Sequence, residues 1–363
     1  MIKYLGSKRT LLPTILRVVQ ALPETRSVID LFSGTSRVGH TLKGAGFQVL
    51  ANDHNAYAAA LAGCYVAADR EVVLTDAERL IREFNQLPGK PGYFTETFCI
   101  QSRFFQPKNG ARIDAIREAI EAKDLSPNLR NVLLVSLMEA ADRVDSTTGV
   151  QMAYLKQWAP RASNDLMLRM PDVLPRATRG AGAAYCLDAF EAAQTLRADV
   201  AYVDPPYNQH SYLGNYHIWE SLVRWDKPEV YGIACKRVDC RERQSVFNSR
   251  PRFRDALATL LQSIKAETLI LSFSDEGYLS QADLDPMLAS LWGGTAQVTT
   301  ISLDYRRYVG AQIGIYNPAG EKVGKVSHLR NRESLYVVSR NGVSPALASL
   351  AAAHSEQPAL FSV

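Results

Sequence analysis

The sequence predicts a doubly wound α/β domain with a mostly parallel, seven-stranded sheet and a helical insert. Three observations carry this. Strand-like apolar runs alternate with helical stretches near both ends of the chain, the pattern of parallel strands joined by crossover helices. A block from about Asp76 to Arg179 has helical periodicity and no strong strand pattern, and it is too long to be an ordinary loop. At 363 residues the chain exceeds the roughly 250 to 300 at which a single core stops growing, so an inserted unit is expected.

Taken in order, Ser27 to Phe32 reads as the first strand, followed by a turn at Ser33-Gly34-Thr35-Ser36 and a helix to about Ala45. Gly46 to Asp53 is the second strand and Ala56 to Ala68 the second helix. Within the insert, Asp114 to Ala122 and Asn128 to Arg143 have apolar residues at helical spacing, and Ser126-Pro127 is a start signal for the latter. Five more strands are expected at Ala183 to Asp188, Val200 to Asp204, Thr268 to Ser274, Gln297 to Asp304 and Ser334 to Ser339. This divides the chain into a discontinuous catalytic unit, residues 1–75 and 180–340, and an insert, residues 76–179. An insertion at the carboxyl edge of an open sheet is placed to shape a binding site. Residues 341–363, rich in Ala, Ser and Pro from Val343 on, are expected to be a flexible tail.

Composition narrows the class. Apolar content of 47% and charged content of 21% suit a soluble globular protein, and no apolar run approaches the ~18 residues of a membrane span. The basic start, Met1 to Arg9, lacks the apolar stretch of a secretory signal, so a cytoplasmic location is expected. Five cysteines without a CxxC pair indicate neither a disulfide framework nor a zinc site, and buried free thiols are expected. The net charge of +4 is unevenly spread. Arg224 to Asp255 holds nine Lys/Arg against five Asp/Glu, and Tyr305 to Arg340 seven against two. A solvated basic surface is one reading. The interleaved groups Tyr305-Arg306-Arg307-Tyr308 and Asn248-Ser249-Arg250 favour another, in which Asn248, Arg250, Tyr305, Arg306 and Arg307 contact a nucleic acid through stacking faces, amides and cations.

The chemistry concentrates at Val203-Asp204-Pro205-Pro206-Tyr207-Asn208, directly after an apolar strand. A carboxylate, a rigid carbonyl-lined turn and an aromatic face suit a flat ring bearing an exocyclic amine. The run from Asn208 to His217 is polar and aromatic, which fits a binding surface; His210 and His217 read as hydrogen-bonding surface residues without a catalytic role. At the first strand, Asp30-Leu31-Phe32-Ser33-Gly34 ends in a turn whose glycine permits close approach of a ligand to the helix start. Ser36 stands where a dinucleotide fingerprint would carry its second glycine, and His40 where a P-loop would carry lysine, so NTP hydrolysis is disfavoured. Asp53 sits where a carboxylate can accept from both hydroxyls of a ribose, or where it can cap the next helix. Asp188 can accept from an adenine amino group or serve as an N-cap. No metal site is indicated.

Together these positions resemble the Dam-like group of adenine-N6 DNA methyltransferases. The order runs Lys3-Tyr4-Leu5-Gly6-Ser7-Lys8, then Phe32-Ser33-Gly34, then Asp53, Asp188 and Asp204-Pro205-Pro206-Tyr207, over roughly residues 1 to 70 and 183 to 340. The resemblance implies a Rossmann-like methyltransferase fold, S-adenosylmethionine as cofactor, and methyl transfer to adenine in double-stranded DNA. It places Tyr4 and Lys8 in the cofactor motif beside Asp30, Phe32, Gly34, Asp53 and Asp188, and makes 76–179 a candidate target-recognition subdomain. A monomer or weak dimer is expected, with a cognate restriction endonuclease left open as a partner.

The mechanism follows from the residues. The lone pair of an adenine amine is delocalised into its ring. Accepting its two hydrogens on the Asp204 carboxylate and on a carbonyl of the Pro205-Pro206 turn favours the pyramidal, nucleophilic nitrogen. Tyr207 would stack on a base flipped from the duplex. A cytosine-N4 methyltransferase needs the same acceptors, although its motif more often opens with Ser; a catalytically silent DNA-binding module on the same fold is the alternative from another class.

Overall fold

Parallel strands with their carboxyl ends on one edge form the centre of the molecule, which a computed structural model describes for residues 1–6, 8–306, 330–340 and 342–355. The strands are β1 (Ser27–Asp30), β2 (Gln48–Asn52), β3 (Ala183–Tyr185), β4 (Val200–Val203), β5 (Val230–Tyr231), β6 (Lys236–Arg237), β7 (Thr268–Ser274), β8 (Gln297–Arg306) and β9 (Arg330–Ser339). Seven of them make one sheet in the order β3-β2-β1-β4-β7-β9-β8, all parallel except that β9 runs antiparallel to both neighbours. The chain winds outward from β1 to β2 and β3, then returns to place β4 on the other side of β1. That reversal opens a crevice between the ends of β1 and β4, where an open sheet binds ligands.

Both faces of the sheet are covered, as the short, apolar, β-branched strands require. Alternate residues go to opposite sides. Val28, Val200, Tyr202, Ile270 and Val337 pack against α1 (Leu12–Ala21) and α2 (Arg37–Gly44). Ile29, Ala201, Val203, Leu269 and Leu271 pack against the helices Ala189–Thr195, Arg250–Ser263 and Gln281–Ala289.

A third core lies outside the sheet. It joins α3 (Ala56–Ala62) and α4 (Arg70–Asn85) to the helices Pro107–Glu121, Pro127–Asp142 and His217–Arg224 through Leu61, Leu80, Ile113, Leu133, Phe98 and Trp219. Pro107 and Pro127 occupy first-turn positions that lose nothing by lacking an N–H. Arg117, fully buried, donates to the carbonyls of Leu222 and Val223 at 2.8 and 3.1 Å, satisfying the end of helix His217–Arg224. The expected division at residue 76 therefore falls inside α4, and the insert shares its core with α3 and with a helix that follows β4.

Three further expectations change. Residues 345–355 of the supposed tail form a helix whose Leu347 is buried against the α1 and α2 side of the sheet, with Ser344 donating to the Ala21 carbonyl at 2.7 Å. Alanine is the strongest helix former, so its abundance there fits a helix docked through Leu347. His217 is buried, not at the surface; its Nε2 lies 2.9 Å from the Gln151 carbonyl, and burial pulls its pKa down to about 3, so it is neutral. Cys64, Cys99 and Cys235 are buried free thiols, but Cys186 is exposed. Among the described residues, no helix is long and apolar enough to cross a membrane.

Candidate active site

The turn after β1 is built tightly. Ser33 N–H donates to the Asn52 carbonyl at 2.9 Å and Ser36 N–H to the Ser33 carbonyl at 2.6 Å, closing the loop onto β2. Gly34 (φ +49°) and Ser36 (φ +59°) are both left-handed. The position that a dinucleotide fingerprint gives to glycine thus does demand a left-handed backbone, which costs a serine about 1 to 2 kcal/mol. At Gly34, a β-carbon would sit in ordinary contact with the Tyr4 ring at 3.4 Å, so it is the left-handed backbone rather than the space that favours glycine.

Acidic side chains converge on this turn because parallel strands end on the same edge. Asp30 closes β1, buried, its Oδ2 accepting from Gly39 N–H at 3.1 Å. Asp53, just past β2, accepts from Gly34 N–H at 3.0 Å on Oδ2 and from Asn55 N–H at 2.9 Å on Oδ1. It braces at once the turn after β1 and Asn55, the residue that precedes α3 and is itself the N-cap. Asp188 is the N-cap of helix Ala189–Thr195, with Phe190 N–H donating to Oδ1 at 2.9 Å.

Asp204 follows β4, and its Oδ1 lies 3.0 Å from Lys8 Nζ. Lys8 also bridges to Glu333 on β9, and Glu333 Oε1 accepts from Ser272 Oγ at 2.7 Å. Glu333 reaches the site because β9 is antiparallel: its beginning lies beside the end of β7, with Glu333 paired to Ser274. Nothing in the local sequence marks it, and it was missed. Burial would disfavour the Lys8 ammonium, but Asp204 and Glu333 together hold its pKa well above the ordinary lysine value. Burial raises Asp204 to about 6, with Lys8 pulling it back and Glu333 pushing it up. Burial raises Asp30 to about 7, against the Gly39 hydrogen bond and with Asp204 and Asp53 adding to the rise.

One cavity of about 440 Å³ gathers these groups. Tyr4, Lys8, Asp30, Phe32, Gly34, Asp53 and Asp188 all line it, as do Asp204, Pro206 and Asn248. Pro205 and Tyr207 are not among its lining residues. The Tyr207 ring packs 5.2 Å from Phe273, with Lys8 Nζ 5.5 Å from its centroid. The Tyr4 ring is stacked with those of Tyr212 and Tyr216, at 5.2 and 4.6 Å between centroids. Asn248 spends its amide on the carbonyls of Asn208 and His210, at 2.7 and 3.1 Å, and so holds the loop after the Asp-Pro-Pro-Tyr segment. Arg250 is exposed at the start of helix Arg250–Ser263, away from the cavity wall. Arg307 and the side chains of Tyr305 and Arg306 lie outside the described residues.

Several wall residues went unread. Phe247 meets Phe32 edge-on at 5.4 Å and stacks on Phe190 at 5.8 Å, giving an aromatic side to the cavity. Arg243 arrives from the following loop, anchored 2.9 Å from Glu220 Oε1, while Glu220 Oε2 accepts from Tyr57 N–H at 3.1 Å. Aromatic residues near a loop are too common in sequences to be singled out.

Asp30 gives a direct check on this electrostatic description. Its folded pKa lies above the ordinary value of about 3.9, so it stabilises the fold while protonated and that contribution is lost as pH rises through about 7. Asp30→Asn keeps an acceptor for Gly39 and removes the charge. In the absence of added ligand, the melting temperature of wild type should fall more steeply than that of the variant between pH 5 and pH 8, by up to about 2.5 kcal/mol in stability. Parallel pH dependences would contradict a buried, reluctant carboxylate.

An open sheet with a single antiparallel strand near one edge, an acidic cleft at its switch point and an Asp-Pro-Pro-Tyr turn on β4 define a Rossmann-like methyltransferase. The chain belongs to the D12 class of N6 adenine-specific DNA methyltransferases, whose family model matches residues 4–274. It is 27% identical over 322 residues to modification methylase StsI of Streptococcus sanguinis, and 27% over 324 residues to the type II methyltransferase M.FokI of Planomicrobium okeanokoites. Each alignment covers 84% of this chain, and the chain spans about half the length of these two relatives, 48% and 49%. With M.NlaIII of Neisseria lactamica it shares 28% over 287 residues, 77% of this chain and 83% of that one.

Proposed function

We propose that the chain transfers a methyl group from S-adenosylmethionine to the N6 amino group of an adenine flipped out of double-stranded DNA. The observation that carries this is Asp204. Its carboxylate stands at the end of β4 on the cavity wall, with Oδ1 3.0 Å from Lys8 Nζ.

The cavity suits such a cofactor on its own terms. Its volume is that of a small-ligand pocket, its aromatic side of Phe32, Phe190 and Phe247 fits a flat ring, and its carboxylates fit a cation. The buried hydroxyl of Ser33, on the cavity wall, has no protein partner among the described residues. Asp53 would hold a ribose, Asp188 an amino group, and Asp30 with the Gly34 turn the charged end. The bound cofactor supplies an electrophilic methyl. The chain supplies the rest: Asp204 and a carbonyl of the Pro205-Pro206 turn accept hydrogen bonds from the two N–H groups of the substrate amine, so that its lone pair is freed for attack, and the carboxylate faces the positive charge that then develops on nitrogen and receives the proton that the nitrogen sheds. Tyr207 would give the extruded base a stacking partner once Asp204 engages it.

Asn248, Arg250, Tyr305, Arg306 and Arg307 are proposed to meet the DNA, Asn248 through the loop it supports, and residues 76–179 to read the target. Relatives named as modification methylases make a cognate restriction endonuclease the proposed partner, with the enzyme acting in the cytoplasm as a monomer or weak dimer. The test is incubation with unmethylated DNA and methyl-labelled S-adenosylmethionine, followed by nucleoside analysis. Label in N6-methyladenine is expected. Label in N4-methylcytosine would favour the cytosine reading, and cofactor-free protein with unlabelled DNA would leave a silent binding module.

A further inference from the structure

We infer that Glu333 is a positioning residue for the transfer step: it fastens the Lys8 ammonium at the cavity wall and restores beside Asp204 the net negative charge that Lys8 alone would cancel. This rests on the function proposed above. Lys8 is buried, its ammonium bridged to Asp204 at 3.0 Å and to Glu333 directly, and Ser272 fixes Glu333 from β7 at 2.7 Å. A lone Lys8–Asp204 pair would be neutral. A neutral pair offers little to an amine that is becoming an ammonium, and a lysine free to swing into the cavity would repel both that charge and a cationic cofactor. One cation between two carboxylates keeps a negative field, and in a buried site such a field acts with little screening.

The surroundings leave Glu333 this role. The charged and titratable groups acting on the Lys8, Asp204 and Glu333 cluster are Asp30 from the end of β1, Tyr202 on β4, and Tyr207 and Tyr212 in the loop after it, with Asp53 at the end of β2 acting in turn on Asp30 and Tyr212. The tyrosines are neutral at working pH, their hydroxyls raised by burial. Asp30 and Asp53 are committed to the turn after β1. Glu333 is the carboxylate on the far side of Lys8.

The test compares purified wild type with Glu333→Gln in the labelled-methyl assay between pH 5 and pH 9, with cofactor affinity measured separately and folding checked by melting temperature. If wild type transfers no methyl, the proposed function fails and the comparison does not arise. Given an active wild type, Glu333→Gln should lower kcat by about 10-fold to 10²-fold, leave cofactor affinity within a few-fold, and shift the acid limb of kcat to lower pH, because Lys8 then acts on Asp204 unopposed. Glu333→Asp should recover part of kcat. If Glu333→Gln does not fold, Ser272→Ala replaces it, with a smaller shift in the same direction expected. A folded variant with wild-type kcat, or one slowed with an unmoved acid limb, would overturn the inference.

Discussion

Replacing Asp204 with alanine is expected to abolish methyl transfer while leaving affinity for S-adenosylmethionine within a few-fold. The expected loss is at least 10² to 10³ in kcat, about the worth of one preorganised group facing developing charge. The fold should survive, because Lys8 keeps Glu333 as a partner on its other side and no cation is left unpaired. Cofactor affinity should survive because the groups proposed to hold it, Asp53, Asp30 and Asp188, stand on other strands and have their own hydrogen bonds. Asp204 must be ionised to accept a hydrogen, so wild-type kcat should fall as pH drops through about 6. Asp30 titrates close by, and the limb will report the two together. Wild-type turnover by Asp204→Ala in single-turnover and steady-state assays would refute the assigned role.

The second large effect is expected at Lys8, and it shows in stability as well as rate. Lys8→Met preserves chain length and removes the cation between two buried carboxylates. Leaving buried charge uncompensated costs about 3 to 5 kcal/mol. The variant recovers part of this by taking up a proton, since two carboxylates in one buried site resist joint ionisation. Their folded pKa values then stand above the unfolded ones, so the variant is most stable at low pH and loses stability as pH rises through those raised values. The gap in melting temperature between wild type and Lys8→Met should widen from pH 5 to pH 8, and the acid limb of kcat should move above about 6. A gap independent of pH would mean that Lys8 serves the fold by packing alone.

The legible parts of this molecule were those whose cause is local. Ile29 and Val28 on β1, or Val200 to Val203 on β4, announce buried strands by composition, and an acidic residue at the end of each is then on the working edge whatever the tertiary details. Asp204, Asp53 and the Gly34 turn were found this way. What escaped depends on distant pairing. Glu333 is 325 positions from Lys8, and only the antiparallel insertion of β9 between β7 and β8 brings them together. Tyr4 lines the cavity, but the rings stacked with it come from Tyr212 and Tyr216, more than 200 positions away. The hairpin of β5 and β6, two residues per strand, is too short for any periodicity and is held by buried Arg237 bridging Asp226 and Asp239 at 2.7 and 3.0 Å. The helix at residues 345–355 escaped because alanine, the strongest helix former, is equally common in loose ends.

The core that joins α3 and helix His217–Arg224 to the helices of residues 107–142 means that these helices are not an exchangeable cassette. Arg117 is sealed against the backbone of Leu222 and Val223, and Trp219 is buried in the same apolar body. A chimera that imported residues 76–179 from a relative would set foreign side chains against native partners across that seam. Swapping therefore succeeds only when the facing helix travels with the graft, and drift in one half constrains drift in the other.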